Sequence, residues 1–276
     1  TIKFPQASFD ESIHAEEVAK KIGTRHTTIE LSRQNCVDGI QDLLKNADQP
    51  FADSSLLPTH LLCQATRQHV SVALGGDGAD ELLLGYPNFR VLRYAKLLQR
   101  LPHRLGKFAE QMAGVIPQST GYMNAAFLLR QLSYGFGVPA NMQSVYWMSA
   151  IAAREQDDLW IGDDARDQKI FDQLSEQVSS PGGVSLVEAC QQHFLKFYLP
   201  FDILRKTDRA SMYSSLEVRA PYLSSAVAQY ALSLPHAALY RRNTGKRILR
   251  SVAQRYLPPA TIDRRKHGFA LPVSSL

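Results

Sequence analysis

Residues 70–90 read VSVALGGDGADELLLGYPNFR, the stretch of this chain that says most about its fold. An apolar segment, 70–74, stops at the glycine-rich loop 75–78, and a helix-like segment follows. Glycines let backbone N–H groups approach a ligand, and a helix N-terminus adds partial positive charge, which is a geometry typical of phosphate binding. Two carboxylates in the same stretch, Asp77 and Asp80, repel a phosphate unless a cation lies between them. The stretch therefore predicts a strand, a loop and a helix around a nucleotide and Mg²⁺.

A simpler interpretation of the same residues is an ordinary turn between a strand and a helix, with an aspartate as the helix cap. Such turns need glycine for their backbone geometry and bind nothing. The local sequence favours neither interpretation, so the choice depends on the rest of the chain.

The composition is that of a globular chain of 276 residues, of which 45% are hydrophobic. No apolar run is long enough to span a membrane, and the N-terminal residues lack the features of a signal peptide. Three separated cysteines without a C-x-x-C pair favour neither disulfides nor zinc, so a reducing cytoplasm is expected. The net charge of +5 includes a basic cluster at 241–266, which lacks the interleaved aromatic residues of many nucleic-acid-binding segments. We expect a cytoplasmic protein that binds neither nucleic acid nor membrane.

Residues 1–90 alternate between strand-like and helix-like segments. The pattern predicts strands at 1–4, 25–31 and 70–74, with helices at 12–22, 36–47 and 56–69. Pro58 should confine the regular part of the third helix to the residues that follow it. The unbroken apolar run of the third strand predicts burial on both faces. Strands joined in this way form a parallel sheet with flanking helices, and ligands bind at the carboxyl ends of its strands.

Residues 91–276 are predicted to be mainly helical, so the chain divides into an α/β part and a helical part. An amphipathic helix is expected at 186–198, and Pro200 marks a break after it. Taken without wider context, the charged segment beyond Pro200 is a solvated helix face with an i,i+4 pair between Asp202 and Lys206.

Five ordered blocks, spread over nearly the whole chain, resemble motifs of the asparagine synthetase family. They are FDES with EVA and GTRH (9–26), DQPFAD with PT (48–59), GGDGADELLLGY (75–86), KTDRASM with SLEVRAPYL (206–223), and GK with RKHGF (245–269). The third block resembles the family signature S-G-(E/D)-G-(S/A/G)-D-E-(L/V)-F-G-G-Y. Here Gly75 stands in place of Ser, and Leu84 in place of the first Gly of the closing pair.

The resemblance implies the fold of ATP pyrophosphatases, similar to adenine nucleotide α-hydrolases. It also implies an AMP-forming amidotransferase, in which ATP adenylates the β-carboxylate of aspartate and ammonia from glutamine attacks the acyl-adenylate. ATP and Mg²⁺ are the implied cofactors. The implied partners are the small-molecule substrates and a glutaminase domain of the same protein, and a homodimer is compatible with them.

The resemblance assigns roles to individual residues. Asp77 is implied to take part in forming the intermediate and in removing a proton, and Lys266 to stabilise charge at the reacting centre. Lys266→Met is therefore expected to reduce adenylation far more than Lys246→Met.

The remaining implied roles concern binding. Asp80 matches the Mg²⁺ ligand, Gly75 and Gly76 match the pair that contacts ATP, and the backbone of Phe4 matches the segment that meets adenine. Gly75 lacks the serine hydroxyl of the family but keeps a backbone donor for the nucleotide.

The chain also departs from the family pattern. The pyrophosphate motif S-G-G-x-D-S does not occur in it, and neither does the glutaminase domain. We expect a longer parent protein with both elements before Thr1, and we expect residues 1–276 alone to be inactive.

Other functions are compatible with the same motifs. Asp77 is one methylene shorter than the usual glutamate, which hints at a different acceptor, such as a sugar acid of a surface polysaccharide. A β-lactam-closing enzyme should carry a tyrosine in its chemistry loop, so Asp77 argues against that activity. A non-catalytic interaction module of this fold is a further alternative, which ATP binding by the longer protein would exclude.

Overall fold

The computed structural model describes residues 1–116, 124–149, 173, 176 and 185–264. Four short strands are β1 (Ile2–Lys3), β2 (Ile29–Glu30), β3 (Val72–Leu74) and β4 (Glu217–Arg219) in these ranges. The helices of the first half are α1 (Ser12–Ile22), α2 (Arg33–Asn46), α3 (Leu56–Arg67), α4 (Ala79–Leu82), α5 (Asn88–Val91), α6 (Ala95–Leu98), α7 (His103–Val115), α8 (Ala125–Ser133) and α9 (Gln143–Met148). Those that follow are α10 (Leu186–His193), α11 (Arg205–Met212), α12 (Ser225–Ser233), α13 (His236–Leu239), α14 (Arg247–Ala253) and α15 (Pro259–Ile262).

Short 3₁₀ turns at Leu92–Tyr94 and Pro221–Leu223 and a π-helix at Phe194–Leu204 complete the described elements. The described elements are mostly helical and include small parallel sheets, and strand β4 lies within the part of the chain that was predicted to be mainly helical. No helix among these residues is both long and apolar enough to cross a membrane.

The strands form two small parallel sheets rather than one. β1 pairs with β2, and β3 pairs with β4 in the register Val72 opposite Glu217 and Leu74 opposite Arg219. Parallel pairing is as expected for strands that are joined through helices. The partner of β3 comes from far along the chain, a pairing that periodicity does not reveal.

Helix boundaries near the sheets follow local chemistry. α1 ends at Gly23, whose φ of 77° is the left-handed conformation of a helix C-terminus. α2 begins after Ser32, whose hydroxyl accepts a hydrogen bond of 3.1 Å from the Asn35 N–H. The expectation for Pro58 is wrong, because α3 already begins at Leu56. Proline is tolerated in a first helical turn, where its missing N–H would have no helical partner.

The third strand is less buried than its apolar sequence predicts. Val72 is 42% exposed and Leu74 is 74% exposed. Only the Ala73 side is covered, by a cluster that includes Cys63 and Leu216. The expectation of burial on both faces is therefore wrong, because the described elements pack against one face of β3.

The largest buried cluster lies around the segment after the glycine loop. It joins Leu82, Leu83, Leu84, Phe89, Leu92, Leu98, Trp147, Cys190, Phe194, Ala231 and Leu239. Leu84 is fully buried although its φ is 55°, a conformation that favours glycine. Burial of its side chain offsets a backbone strain of about 1–2 kcal/mol. This explains how leucine can occupy a position where the family signature has glycine.

Pro200 does not break the chain's helical course. α10 passes into the π-helix, which contains Pro200, and α11 follows without a loop. The break predicted there is wrong, since the wider π-type turn accommodates a residue without a backbone donor. The π-helix carries Tyr198 and Asp202, whose side chains are hydrogen-bonded to each other.

Candidate active site

The glycine loop follows β3 directly, and its backbone is specified most strongly at Gly78. The φ of Gly78 is 87°, and a Cβ there would lie 2.2 Å from Cδ2 of Leu223. The N–H of Gly75 donates to the Arg219 carbonyl at 2.8 Å and so extends the pairing of β3 with β4. This N–H is therefore engaged in the sheet, and the contact of Gly75 with ATP stays a prediction. Gly76 borders open space, because a Cβ built on it meets no atom within 4 Å.

The helix after the loop, α4, is only four residues long. Its dipole is correspondingly small, so the predicted attraction of a phosphate to this helix end is weak. Asp80 lies in α4 and forms an ion pair of 2.9 Å with the Lys246 ammonium. A Cβ on Gly85 would lie 1.9 Å from Oδ1 of Asp80, so glycine at 85 is needed for this arrangement.

The segment that carries Lys246 is fastened to the same loop. The Lys246 N–H donates to the Leu83 carbonyl at 2.8 Å, and Gly245 packs closely against the Leu84 carbonyl. Lys246 has a φ of 53° at the start of α14, a strained conformation for lysine. Sequence reasoning treated Lys246 as a comparator outside the site. In the structure, its ammonium forms an ion pair with Asp80.

Asp77 lies beside α11, and its environment pulls its pKa in both directions. Burial raises the pKa of the Asp77 carboxyl, while the Thr207 hydroxyl and the Lys206 charge lower it. The net effect is a raised pKa. On the side of α3, burial and the Asp77 charge raise the pKa of the Cys63 thiol to about 11. Cys63 therefore stays a neutral thiol.

Lys206 pairs with a residue that sequence reasoning did not select. Its ammonium lies 2.7 Å from Oδ2 of Asp53, and the two side chains are 13% and 21% exposed. The expected ion pair with Asp202 on a solvated face is wrong. Burial raises the pKa of Asp202, and the nearby Asp53 raises it further, while Lys206 lowers it. Asp53 belongs to the DQPFAD block, which is the signal that points to it.

A further carboxylate is buried behind the loop. Glu81 is 1% exposed and accepts a hydrogen bond of 2.5 Å from the Tyr86 hydroxyl. Burial, with Glu81 close by, raises the pKa of Tyr86, which keeps the phenol protonated. Among the described residues around the loop, carboxylates outnumber lysines: the acids are Asp53, Asp77, Asp80, Glu81 and Asp202, and the lysines are Lys206 and Lys246.

These acidic groups are the side chains that could bind Mg²⁺. No group of three or more acidic, histidine or cysteine side chains forms a metal site within the described ranges. Mg²⁺ commonly binds through one or two carboxylates and the phosphates of its substrate rather than through a cage of protein ligands. Asp80 fits such an arrangement.

Of the two remaining candidate residues, Phe4 is described by the structure and Lys266 is not. Phe4 is 4% exposed and packs in a core cluster with Ile2 and Leu31. It also borders a cavity of about 460 Å³ that extends to Arg264. Lys266 lies outside the described residues, which end with Arg264 paired to Glu11.

Fold and site together define a helix-rich α/β domain with an acidic site at the carboxyl end of a parallel strand. Comparison with known proteins gives its family: the asparagine synthase profile matches residues 1–276. The chain belongs to the asparagine synthase family, as the motifs predicted.

Individual relatives agree with this family. The chain is 26% identical over 274 residues to asparagine synthetase (glutamine-hydrolyzing) 1 of Bacillus subtilis, which covers 99% of this chain and 42% of the relative. It is 28% identical over 276 residues to a Mycobacterium tuberculosis protein provisionally given the same enzyme name, with 99% and 41% covered. Asparagine synthetase (glutamine-hydrolyzing) 3 of Bacillus subtilis is 24% identical over 265 residues, with 94% and 36% covered. The chain spans about two fifths of the length of the first of these relatives.

Proposed function

We propose that this chain is the synthetase part of an ATP-dependent, AMP-forming ligase that converts aspartate to asparagine. The observation that carries the proposal is that two acids following one strand are accompanied by lysines from distant parts of the chain. Asp77 and Asp80 follow the same strand, with Lys206 beside the first and Lys246 bound to the second. Such a site has one carboxylate for proton transfer and another for a cation on the phosphates.

Each residue has a distinct task in this proposal. Asp80 holds Mg²⁺, which neutralises charge on the phosphates when ATP is bound. Asp77 accepts the proton that ammonia loses as it forms the amide bond and AMP departs. Gly76 gives the nucleotide room to approach the backbone, and Phe4 contributes its backbone near adenine. Lys266 stabilises charge at the reacting centre. Two residues before it, Arg264 pairs with Glu11, which lies at the N-terminal end of α1.

The ammonia source and the cellular setting belong to the same proposal. The relatives are named glutamine-hydrolysing and are much longer than this chain, which supports glutamine as the source through a separate glutaminase domain. We place the protein in the cytoplasm, and a homodimer is compatible with this assignment.

A second acceptor is favoured by one observation. The side chain of Asp77 is one methylene shorter than that of the usual glutamate, so its carboxylate lies closer to its own backbone. A bulkier acceptor, such as a sugar acid, would fit the space that results. Amide formation from aspartate and from uronic acids should therefore be compared in one assay.

Asp77→Asn tests the proposal in the full-length protein. ATP binding should persist, because asparagine preserves the shape of the loop. Amide formation should fall by about two to four powers of ten, the usual effect of removing a general base. The measurements are nucleotide binding by calorimetry and AMP and amide production with ammonia. Turnover within a factor of about two of the wild type would contradict the role of Asp77. If none of the acceptors tried supports AMP formation by the wild type, the choice of substrate is contradicted.

A further inference from the structure

The turn that joins α13 to α14 forms a small surface cleft. Its volume is about 320 Å³, and the described residues that line it are Arg241, Arg242, Thr244 and Arg247. The described part of its wall therefore consists of three guanidinium groups and a hydroxyl, with no carboxylate and no apolar side chain.

The charges of this arginine cleft have no counter-ion among the described residues. Between Glu217 and Asp263 the chain has no acidic residue at all. The ion pairs described for this stretch join Lys246 to Asp80 and Arg250 to Asp263, and neither includes an arginine of the cleft. The positive charge of the cleft is thus left for something outside the described structure to balance.

A second segment without acidic residues lies against the first. It runs from residue 82 to residue 109 and contains six lysines and arginines, so it cannot supply the missing negative charge. Phe89 of this segment lies beside Tyr240, with ring centroids 6.5 Å apart, and Tyr240 directly precedes Arg241. The two segments together give this side of the molecule a positive potential, which attracts anions.

The backbone that carries the arginines is strained. Two hydrogen bonds of 3.0 Å, each from an N–H to a carbonyl, join Arg241 and Thr244 and close the turn. Its central residues, Arg242 and Asn243, have φ of 50° and 65°, a pair of conformations for which Asn-Gly is the usual sequence. Arginine is costly in such a conformation, where glycine is not. Stability of the turn therefore does not explain Arg242.

The cleft is distinct from the site at the glycine loop. The Lys246 ammonium pairs with Asp80 of α4, whereas the guanidinium of the next residue, Arg247, donates a hydrogen bond of 2.6 Å to the Ala237 carbonyl of α13. This bond holds Arg247 in the cleft and uses one of its five N–H donors.

We propose that the arginine cleft is a binding site for a small inorganic phosphoryl anion, phosphate or pyrophosphate. Guanidinium groups bind phosphate oxygens through two hydrogen bonds at once, and the Thr244 hydroxyl adds a further donor. A nucleotide or a nucleic acid would need an apolar or aromatic surface for its bases, which the described wall lacks. Such a site does not require the activity proposed above.

Calorimetry with inorganic pyrophosphate and the full-length protein tests the site. The titrations contain EDTA, so that binding through Mg²⁺ at Asp80 does not contribute. Arg241→Gln/Arg242→Gln should weaken binding by about ten-fold or more, since a hydrogen bond to a charged group contributes at least that much. Arg104→Gln/Lys107→Gln removes the same charge from exposed positions of α7 and should keep the affinity within about a factor of two. Equal affinities of the two double variants would overturn the proposal, as would a wild type that does not bind.

Two glycine variants separate the effect of the side chain from that of the turn. Arg242→Gly and Asn243→Gly both relieve left-handed strain, so neither should lower the urea concentration at which the protein is half unfolded. Arg242→Gly should lose about ten-fold in affinity for pyrophosphate, and Asn243→Gly should stay within about a factor of two of the wild type. Equal affinities of these two variants would contradict a role for the Arg242 guanidinium.

The source of the phosphoryl group is identified by titrating phosphate, pyrophosphate and ADP separately. Binding at the cleft is the part that Arg241→Gln/Arg242→Gln weakens. There, pyrophosphate should bind more tightly than phosphate, because its larger charge reaches more of the guanidinium groups. ADP should bind no more tightly than pyrophosphate, because its nucleoside finds no apolar wall. Tighter binding of ADP would assign the cleft to a phosphorylated metabolite and would contradict an inorganic ligand.

Discussion

At the scale of single residues, Asp80 and Lys246 form an ion pair whose side chains are 22% and 26% exposed. Such partial burial lies between the exposed pairs that contribute little and the buried pairs whose disruption is costly. Lys246 also fixes the backbone next to Leu83. The pair therefore couples the orientation of the proposed Mg²⁺ ligand to α14.

Lys246→Met should accordingly weaken the use of Mg²⁺. We expect the Mg²⁺ concentration for half-maximal adenylation to rise several-fold, because Asp80 loses the group that orients it. Lys45→Met, which removes a lysine 71% exposed, should leave this concentration unchanged and serves as the control. ATP–pyrophosphate exchange at varied Mg²⁺ provides the measurement. Identical Mg²⁺ curves for Lys246→Met and the wild type would rule out this role, and Lys246 would return to being the neutral comparator for Lys266.

At the scale of elements, the turn between β3 and α4 depends on one glycine. Gly78→Ala places a methyl group against Leu223 and holds alanine at positive φ. We expect it to lower the free energy of unfolding by about 2–4 kcal/mol, from backbone strain and overpacking together. Urea denaturation measures this loss.

Gly76→Ala is the matched control, because a Cβ there meets no atom within 4 Å. It should change stability by less than about 1 kcal/mol. The double variant Gly78→Ala/Leu223→Ala should recover part of the loss, since it removes the clash and leaves the strain. Equal effects of alanine at 76 and 78 would show that the turn does not require its left-handed conformation.

At the scale of the whole molecule, the helical core contains a histidine that must stay neutral. His193 is 6% exposed, and burial lowers its pKa to about 4. The unfolded chain takes up a proton near pH 6.5, whereas the folded chain does so only near pH 4. The folded state is thus fully favoured above pH 6.5 and loses stability as the pH falls toward 4.

The expected loss is at most about 1.4 kcal/mol per pH unit for this one group. Urea denaturation at pH 7.5 and pH 5 should show lower stability at pH 5, and His193→Leu should show a smaller difference. His14→Gln, which removes an exposed histidine, should leave the difference as it is in the wild type. If His193→Leu keeps the full pH dependence, the buried imidazole is not its source.

The sequence alone was sufficient for the local elements and the family. Helix α1 with its terminal Gly23, the parallel strand at 72–74 and the glycine loop after it follow from periodicity and turn chemistry, which act over a few residues. The ordered motifs identified the asparagine synthase family, and Asp77 and Asp80 were selected from the loop itself.

Only the tertiary structure decided which distant groups meet at that loop. Three contacts join residues that are more than a hundred positions apart: the ion pairs Lys246–Asp80 and Lys206–Asp53, and the hydrogen bond from the Gly75 N–H to the Arg219 carbonyl. Neither propensity nor spacing encodes such contacts, because they arise when α11, α14 and β4 pack against β3 and its loop. The same packing leaves the Lys206 side chain only 13% exposed, so little water screens its ion pair with Asp53.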